Sequence, residues 1–353
     1  MDNINDREQE SRSIEDVEDA KKEAVAFLLE EQRKDGSWII PAELGGLSES
    51  SVPLRDATVA LCGMALLGCK GDEKASKAVD KAIQFLLKSH EARKDKPPAE
   101  YYMDYNVWGH SCTLWFFSKC LEARIGDKRA LTAAMAGMVS GMQKLQRMTG
   151  GWSYYISANM AKGSADNRSI SFTTAGALIG LLEARKSGIP MPDAMLVKGL
   201  DSLGKMRNSN GSYTYFTDNR SAAAGRENNL PGSAGRAPLC ELALYKAKRS
   251  SLDKIRNALD IFVRYRRELA GQRGKALMHT GRHGQGSHYL MYDYGMAAAA
   301  VRELPAGERD KYRKTILELV LDARDADGSY LDNPIIGRCY GTAMAILTFQ
   351  YLK

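Results

Sequence analysis

No apolar run in this 353-residue sequence approaches the ~20 residues needed to cross a bilayer, so no transmembrane helix is expected. Charge of one sign is also scarce: 50 Lys and Arg stand against 43 Asp and Glu, a net +7 scattered along the chain, which excludes nucleic acid as an expected partner. There is no Cys-x-x-Cys pair and no regular cysteine spacing. Cys62, Cys69, Cys112, Cys120, Cys240 and Cys339 lie in apolar or small-residue segments and read as reduced thiols. The first twenty residues, with Asp2, Asp6, Glu8, Glu10, Glu15 and Asp16, are too polar for a secretory leader, so a cytoplasmic location is expected. Residues 1–14 show no apolar periodicity and are expected to be disordered, which leaves 15–353 as one domain. Peripheral contact with a membrane and any oligomeric state are left open by these features.

What the sequence does contain is a repeat. Four glycine turns follow apolar helical stretches: Asp35-Gly36-Ser37-Trp38, Gly150-Gly151-Trp152-Ser153, Asn210-Gly211-Ser212-Tyr213 and Asp327-Gly328-Ser329-Tyr330. Taking Gly36, Gly151, Gly211 and Gly328 as the ruler, the separations of 115, 60 and 117 residues fit a period of about 58, with one hidden unit in each long gap. The hidden turns should lie near residues 93 and 269. Each turn predicts a glycine in the left-handed conformation that ends a helix, and an aromatic residue folded back as a plug between units.

After every turn comes a second helix rich in small and apolar residues, over 57–67, 111–121, 173–184, 238–247, 291–301 and 340–351. Helices apolar around much of their circumference call for burial, whereas the first helices carry a charged face, as at Lys21, Lys22, Glu30, Glu31 and Lys34. Six inner helices inside six outer ones satisfy both patterns, and so does an open solenoid of six pairs.

The segment from Lys21 to Trp38, with Phe27-Leu28-Leu29, Gln32 and Asp35-Gly36-Ser37-Trp38, resembles the glutamine-tryptophan repeat of squalene-hopene cyclases. Residues 142–155, 200–216 and 317–332 repeat it more loosely, and Tyr340-Gly341-Thr342-Ala343-Met344-Ala345 resembles the closing inner helix of such domains. The chain is therefore similar to bacterial prenyltransferase and squalene-oxidase repeat proteins. The resemblance implies an all-α (α/α)6 toroid with a central apolar cavity that takes an isoprenoid or other apolar small molecule.

The catalytic signatures do not carry over with the fold. The acid motif of class II terpenoid cyclases, Asp-x-Asp-Asp, is absent; Asp325-Ala326-Asp327-Gly328 is half of it and reads as a repeat turn. Zinc prenyltransferases place an aspartate two residues before a ligating cysteine, and here Pro238 holds that position before Cys240. The chain is also about half as long as a two-domain hopene cyclase.

In a ring of this kind the starts of the inner helices gather at one rim, where helix N-termini also favour anions. Candidates for acid and base chemistry there are Asp293, Asp56, Glu241 and His288, with Asp56 equally readable as a helix N-cap. Asp293 stands out because Tyr289, Tyr292 and Tyr294 could desolvate it and raise its pKa, unless Arg236 pairs with it. Arg236, Tyr105, Trp108, His110, Tyr292 and Tyr340 are candidates for substrate contact, the aromatic faces being suited to a carbocation. His279, His283 and His288, with Cys240, form a candidate divalent metal site for zinc or magnesium, although Gly281, Gly284 and Gly286 make that stretch a loop. Arg236, Cys240, His288, Tyr292 and Asp293 are expected to converge on one rim.

Three functions compete on this reading. The first is a terpenoid cyclase- or prenyltransferase-like enzyme acting on an isoprenoid. The second is a non-catalytic toroid that binds a lipid, peptide or partner protein. The third is a polysaccharide-active enzyme on the same scaffold.

Overall fold

The computed structural model describes residues 2–43, 48–94, 104–155, 167–217, 228–275, 282–284 and 289–353. Helices follow in chain order as α1 (Asp2–Glu31), α2 (Ser48–Leu67), α3 (Glu73–Arg93), α4 (Asn106–Ala123), α5 (Lys128–Leu145), α6 (Ser171–Lys186) and α7 (Asp193–Lys205). The second half contains α8 (Leu230–Ser233), α9 (Arg236–Lys246), α10 (Leu252–Arg264), α11 (Arg266–Ala270), α12 (Leu290–Arg302), α13 (Ala306–Asp322) and α14 (Arg338–Tyr351). No strand occurs among the described residues.

Six of these helices form an inner ring. α2 packs on α4, α4 on α6, α6 on α9, α9 on α12 and α12 on α14, and α14 returns to α2. That last contact closes the ring, so the chain is an (α/α)6 toroid rather than an open solenoid. α1, α3, α5, α7, α10 and α13 stand outside. The two hidden units lie where the period placed them, with α3 ending at Arg93 and α10 followed by α11 at 266–270.

The burial pattern follows the sequence. α6 is buried on all sides from Ser171 to Leu181, whereas α10 buries only Ile255, Ala258, Leu259, Ile261 and Phe262, one stripe at helical spacing. Two outer helices, α3 and α5, begin at side-chain caps: Asp72 accepts from the N–H groups of Lys74 and Ala75 at 2.8 and 3.0 Å, and Asp127 accepts from that of Ala130 at 2.7 Å. No described helix is long and apolar enough to cross a membrane.

The four turns are built alike, with one shift in register. Gly36, Gly150, Gly211 and Gly328 carry positive φ of 92, 94, 88 and 77°, so the second diagnostic glycine is Gly150 and not Gly151. The two adjacent glycines are alike in sequence; only Gly150 donates its N–H to the carbonyl of Arg147, as Gly36 does to that of Arg33. Two residues beyond each stands a fully buried plug, Trp38, Trp152, Tyr213 or Tyr330. The indoles of Trp38 and Trp152 each donate to the carbonyl ten residues earlier, Leu28 at 2.7 Å and Met142 at 2.8 Å.

Each turn also rests on the next unit's outer helix. Gln32 donates to the carbonyl of Ala78 in α3 at 2.9 Å, and Gln146 to that of Met195 in α7 at 2.8 Å. Gly328 abuts Glu23 of α1, where Arg324 pairs with the same glutamate, so the sixth unit docks on the first as the others dock on their successors.

One expectation needs adjustment. α2 begins at Ser48 and carries Pro53 inside it, so Asp56 is an interior residue of the helix and not its N-cap. Proline is tolerated near a helix start, where few N–H groups are bonded. Helical backbone of α1 begins at Asp2, and among the side chains described from Asp16 onward Ala20 is the first that is buried.

Candidate functional site

The first turns of the inner helices bring five aromatic rings together around the axis. Trp108 of α4 stacks on Phe172 of α6 with ring centres 5.2 Å apart, and Phe172 stacks on Tyr289 at 4.7 Å. Tyr292 of α12 meets the edge of Trp108 at 5.0 Å, and Tyr340 of α14 lies 6.4 Å from Tyr292. All five are buried. Above them, Tyr105 stacks on Tyr154 at 5.5 Å, the hydroxyls of Tyr154 and Tyr215 are hydrogen-bonded, and Arg236 sits 5.6 Å from the ring of Tyr215.

Asp293 lies beside this wall, in the first turn of α12 and one residue after Tyr292. It is 7% exposed, and its Oδ1 has no hydrogen-bond partner. Its Oδ2 lies against Gly235: a Cβ there would sit 2.1 Å from it, so only glycine admits the carboxyl group. Burial pushes the Asp293 pKa up to about 8, and the nearby positive charge of Arg236 offsets only part of that. The guanidinium of Arg236 is held by the carbonyls of Gly232 at 2.9 Å and Tyr213 at 2.6 Å. Burial thus favours the protonated carboxylic acid over the carboxylate at Asp293.

A second buried carboxyl, Asp332, escaped the sequence reading. Its Oδ2 accepts from the N–H of Met291 at 2.9 Å at the start of α12, and Asn333 donates to its Oδ1 at 3.2 Å. Burial, and to a smaller extent the neighbouring Asp293, raise its pKa well above the usual carboxylate range. The repeat register held a signal: Asp332 stands two residues after the plug Tyr330, as Tyr154 and Tyr215 stand two after Trp152 and Tyr213.

Cys240 joins the group from below. Its thiol donates to the carbonyl of Ser171 at 3.8 Å, and burial pushes its pKa far up, with Arg236 and Asp293 close enough to contribute. His279 and His288 lie outside the described residues; His283 is described, and no cluster of three His, Cys, Asp or Glu side chains able to hold a metal occurs among the described residues.

Three candidates stand apart from Asp293. The Asp56 carboxylate accepts from Ser89 at 2.9 and 3.0 Å and is paired with Arg93, between α2 and α3. The Glu241 carboxylate accepts from Arg207 at 2.6 Å, Tyr213 at 2.8 Å and Ser250 at 2.6 Å, a fully occupied brace between units. His110 turns outward onto Gly141 of α5 and meets His90 edge-on at 6.4 Å; burial, with Arg93 and His90 adding to it, lowers its pKa to about 3. Asp327 accepts from the N–H and Oγ of Ser329 at 3.0 and 2.6 Å, as a turn residue should.

No protein-family model and no curated protein matches the sequence. Solved structures do match. A D-mannose isomerase is similar with a TM-score of 0.60 and 13% identity, over 95% of this chain and 97% of that one. A variant of the type II terpene cyclase MstE from Scytonema, in complex with geranylgeranyl dihydroxybenzoate, is similar with a TM-score of 0.55 and 13% identity, over 97% of this chain and 99% of that one. An inactive variant of an α-1,6-mannanase of Salegentibacter matches with a TM-score of 0.55 and 10% identity, over 96% and 99%. The shared feature is the (α/α)6 toroid. The chain spans nearly the whole of each of these structures.

Proposed function

We propose that this protein is a terpenoid cyclase-like enzyme that protonates an isoprenoid substrate, with Asp293 as the proton donor. The observation that carries the reading is a neutral, buried carboxyl group set against a wall of aromatic rings. The proton of Asp293 would pass to one carbon of an alkene, the π pair would form the new C–H bond, and the adjacent carbon would become a carbocation. The carboxylate left behind pairs with the charge of Arg236, and the faces of Trp108, Tyr292 and Tyr340 would stabilise the cation, each contact worth about 0.5–2 kcal/mol. Attack by the next double bond of the chain and loss of a proton would then regenerate the acid.

The toroid shared with a terpene cyclase that binds geranylgeranyl dihydroxybenzoate supports this substrate class. The missing Asp-x-Asp-Asp motif means that the acid would stand on α12, alone in its segment. The free thiols agree with a reducing, cytoplasmic setting. The test is incubation with prenylated aromatic acids and free polyprenols, with products read by mass spectrometry and NMR. A cyclised isomer of unchanged mass, lost in Asp293→Asn with substrate binding retained, is the expected result; the same product from Asp293→Asn overturns the assignment.

A carbohydrate reading has its own observation, the two buried carboxyls Asp293 and Asp332 on a fold shared with a mannanase and a mannose isomerase. Mannose and α-1,6-mannan belong in the same assay, and turnover of either would move the function to sugars.

A further inference from the structure

Between α2 and α3 a cleft of about 450 Å³ is lined by Asp35, Val52, Arg55, Phe85, Lys88, Ser89, Ala92 and Arg93. Volumes of this order hold small organic ligands. Its walls are of two kinds. Val52, Phe85 and Ala92 are apolar, while Arg55, Lys88 and Arg93 bring three positive charges to one opening.

The cations are positioned by the fold. The guanidinium of Arg55 lies 5.1 Å over the ring of Phe85. Arg93 is set by two partners behind it, pairing with buried Asp56 and donating to Asn106 at 3.0 Å, while its buried Nε–H has no hydrogen-bond partner. Lys88 is exposed at the edge. The carboxylate of Asp35 is engaged in its own turn, accepting from the N–H and Oγ of Ser37 at 3.0 and 2.7 Å. The carboxylates therefore leave a net positive opening, and a planar guanidinium pair suits the oxygens of a phosphate.

We propose that this cleft binds a phosphate monoester carrying a compact apolar or aromatic group, the phosphate on Arg55, Lys88 and Arg93 and the apolar part on Phe85 and Val52. The ligand can be a soluble phosphorylated molecule or the headgroup of a lipid such as phosphatidic acid, and the chemistry of recognition is the same. The site does not depend on the Asp293 assignment.

Two titrations test it. Calorimetry with phenyl phosphate at low ionic strength should show saturable binding that weakens on adding salt. Arg55→Gln and Lys88→Gln should each weaken it about tenfold or more, the value expected for one charge-assisted contact of ~1.5 kcal/mol, and benzyl alcohol should not bind. Lys88 is exposed, so its variant keeps the fold. Sedimentation with vesicles of phosphatidylcholine, with and without phosphatidic acid, distinguishes the sources: binding to both probes, or to either one, with loss in both variants supports the site. No saturable binding to either probe, or unchanged binding in Lys88→Gln and Arg55→Gln, overturns it.

Discussion

The Oδ2 of Asp293 lies so close to Gly235 that a side chain at that position would overlap it, a Cβ falling 2.1 Å away. The acid on α12 and the start of α9 are thus fitted to one another across the unit boundary. Gly235→Ala should displace the carboxyl group and cost about 1–3 kcal/mol, as overpacking does. Gly204, at an open position in α7, provides the control, since alanine there meets nothing within 4 Å. Chemical denaturation of both variants checks this: equal stability of Gly235→Ala and Gly204→Ala would contradict the fit.

The raised pKa of Asp293 has a consequence for stability. Below pH ~4 the carboxyl group is protonated in the folded and unfolded chain alike and contributes no difference. Between about pH 4 and its folded pKa of about 8 the unfolded chain releases the proton and the folded chain keeps it, so stability falls as pH rises through that window. Asp293→Asn removes the titration. It should therefore gain stability relative to the parent on going from pH 4 to pH 8, by up to about 5 kcal/mol. Urea denaturation at the two pH values measures the gain, and a difference between the proteins that does not change with pH would contradict it.

Closure of the ring depends on the contact of the sixth unit with the first. Gly328 has φ of 77°, and a Cβ there would lie 2.8 Å from that of Glu23. Gly328→Ala should cost at least the ~1–2 kcal/mol of a left-handed alanine. Gly36→Ala, at the equivalent turn between the first and second units, should cost a similar amount. A neutral Gly328→Ala in thermal unfolding would mean that the closing contact contributes little.

Ala20, Ala24 and Leu28 of α1 are fully buried. We propose that residues 15–353 form the folding unit. Removing residues 1–14 should leave the melting temperature within about 2 °C of the full chain, whereas removing residues 1–31 should lower it by 10 °C or more, as expected for several lost core side chains at about 1.5–3 kcal/mol each. A large drop from the shorter truncation would refute this boundary.

The ring was legible in the sequence because glycine turns and plug aromatics recur at fixed positions. Trp38 and Trp152 fulfil one role with one geometry, and the period of about 58 located the two units that lack such a turn. Asp293 was legible for a related reason, since Tyr289, Tyr292 and Tyr294 flank it and three aromatics around a carboxyl group announce desolvation. The polar candidates farther round the ring were not. Whether Glu241 faces the axis or braces Arg207 and Tyr213 is decided by partners 28 and 34 residues away, which no local pattern encodes. Asp56 was misplaced because aspartate is favoured at helix N-caps, whereas α2 starts earlier, at Ser48, and Asp332 was missed because its position in the repeat is occupied by tyrosine in the two preceding clear units.

The protonation state of Asp293 is the centre of this account, and difference infrared spectroscopy of the parent against Asp293→Asn reads it directly. The carbonyl stretch of a protonated, desolvated carboxyl group should be present at pH 7 and vanish with a midpoint near the pKa of about 8 set by burial. A carboxylate signal already complete at pH 6 would show that Asp293 is an ordinary ionised side chain, and the proton-donor role would fall with it.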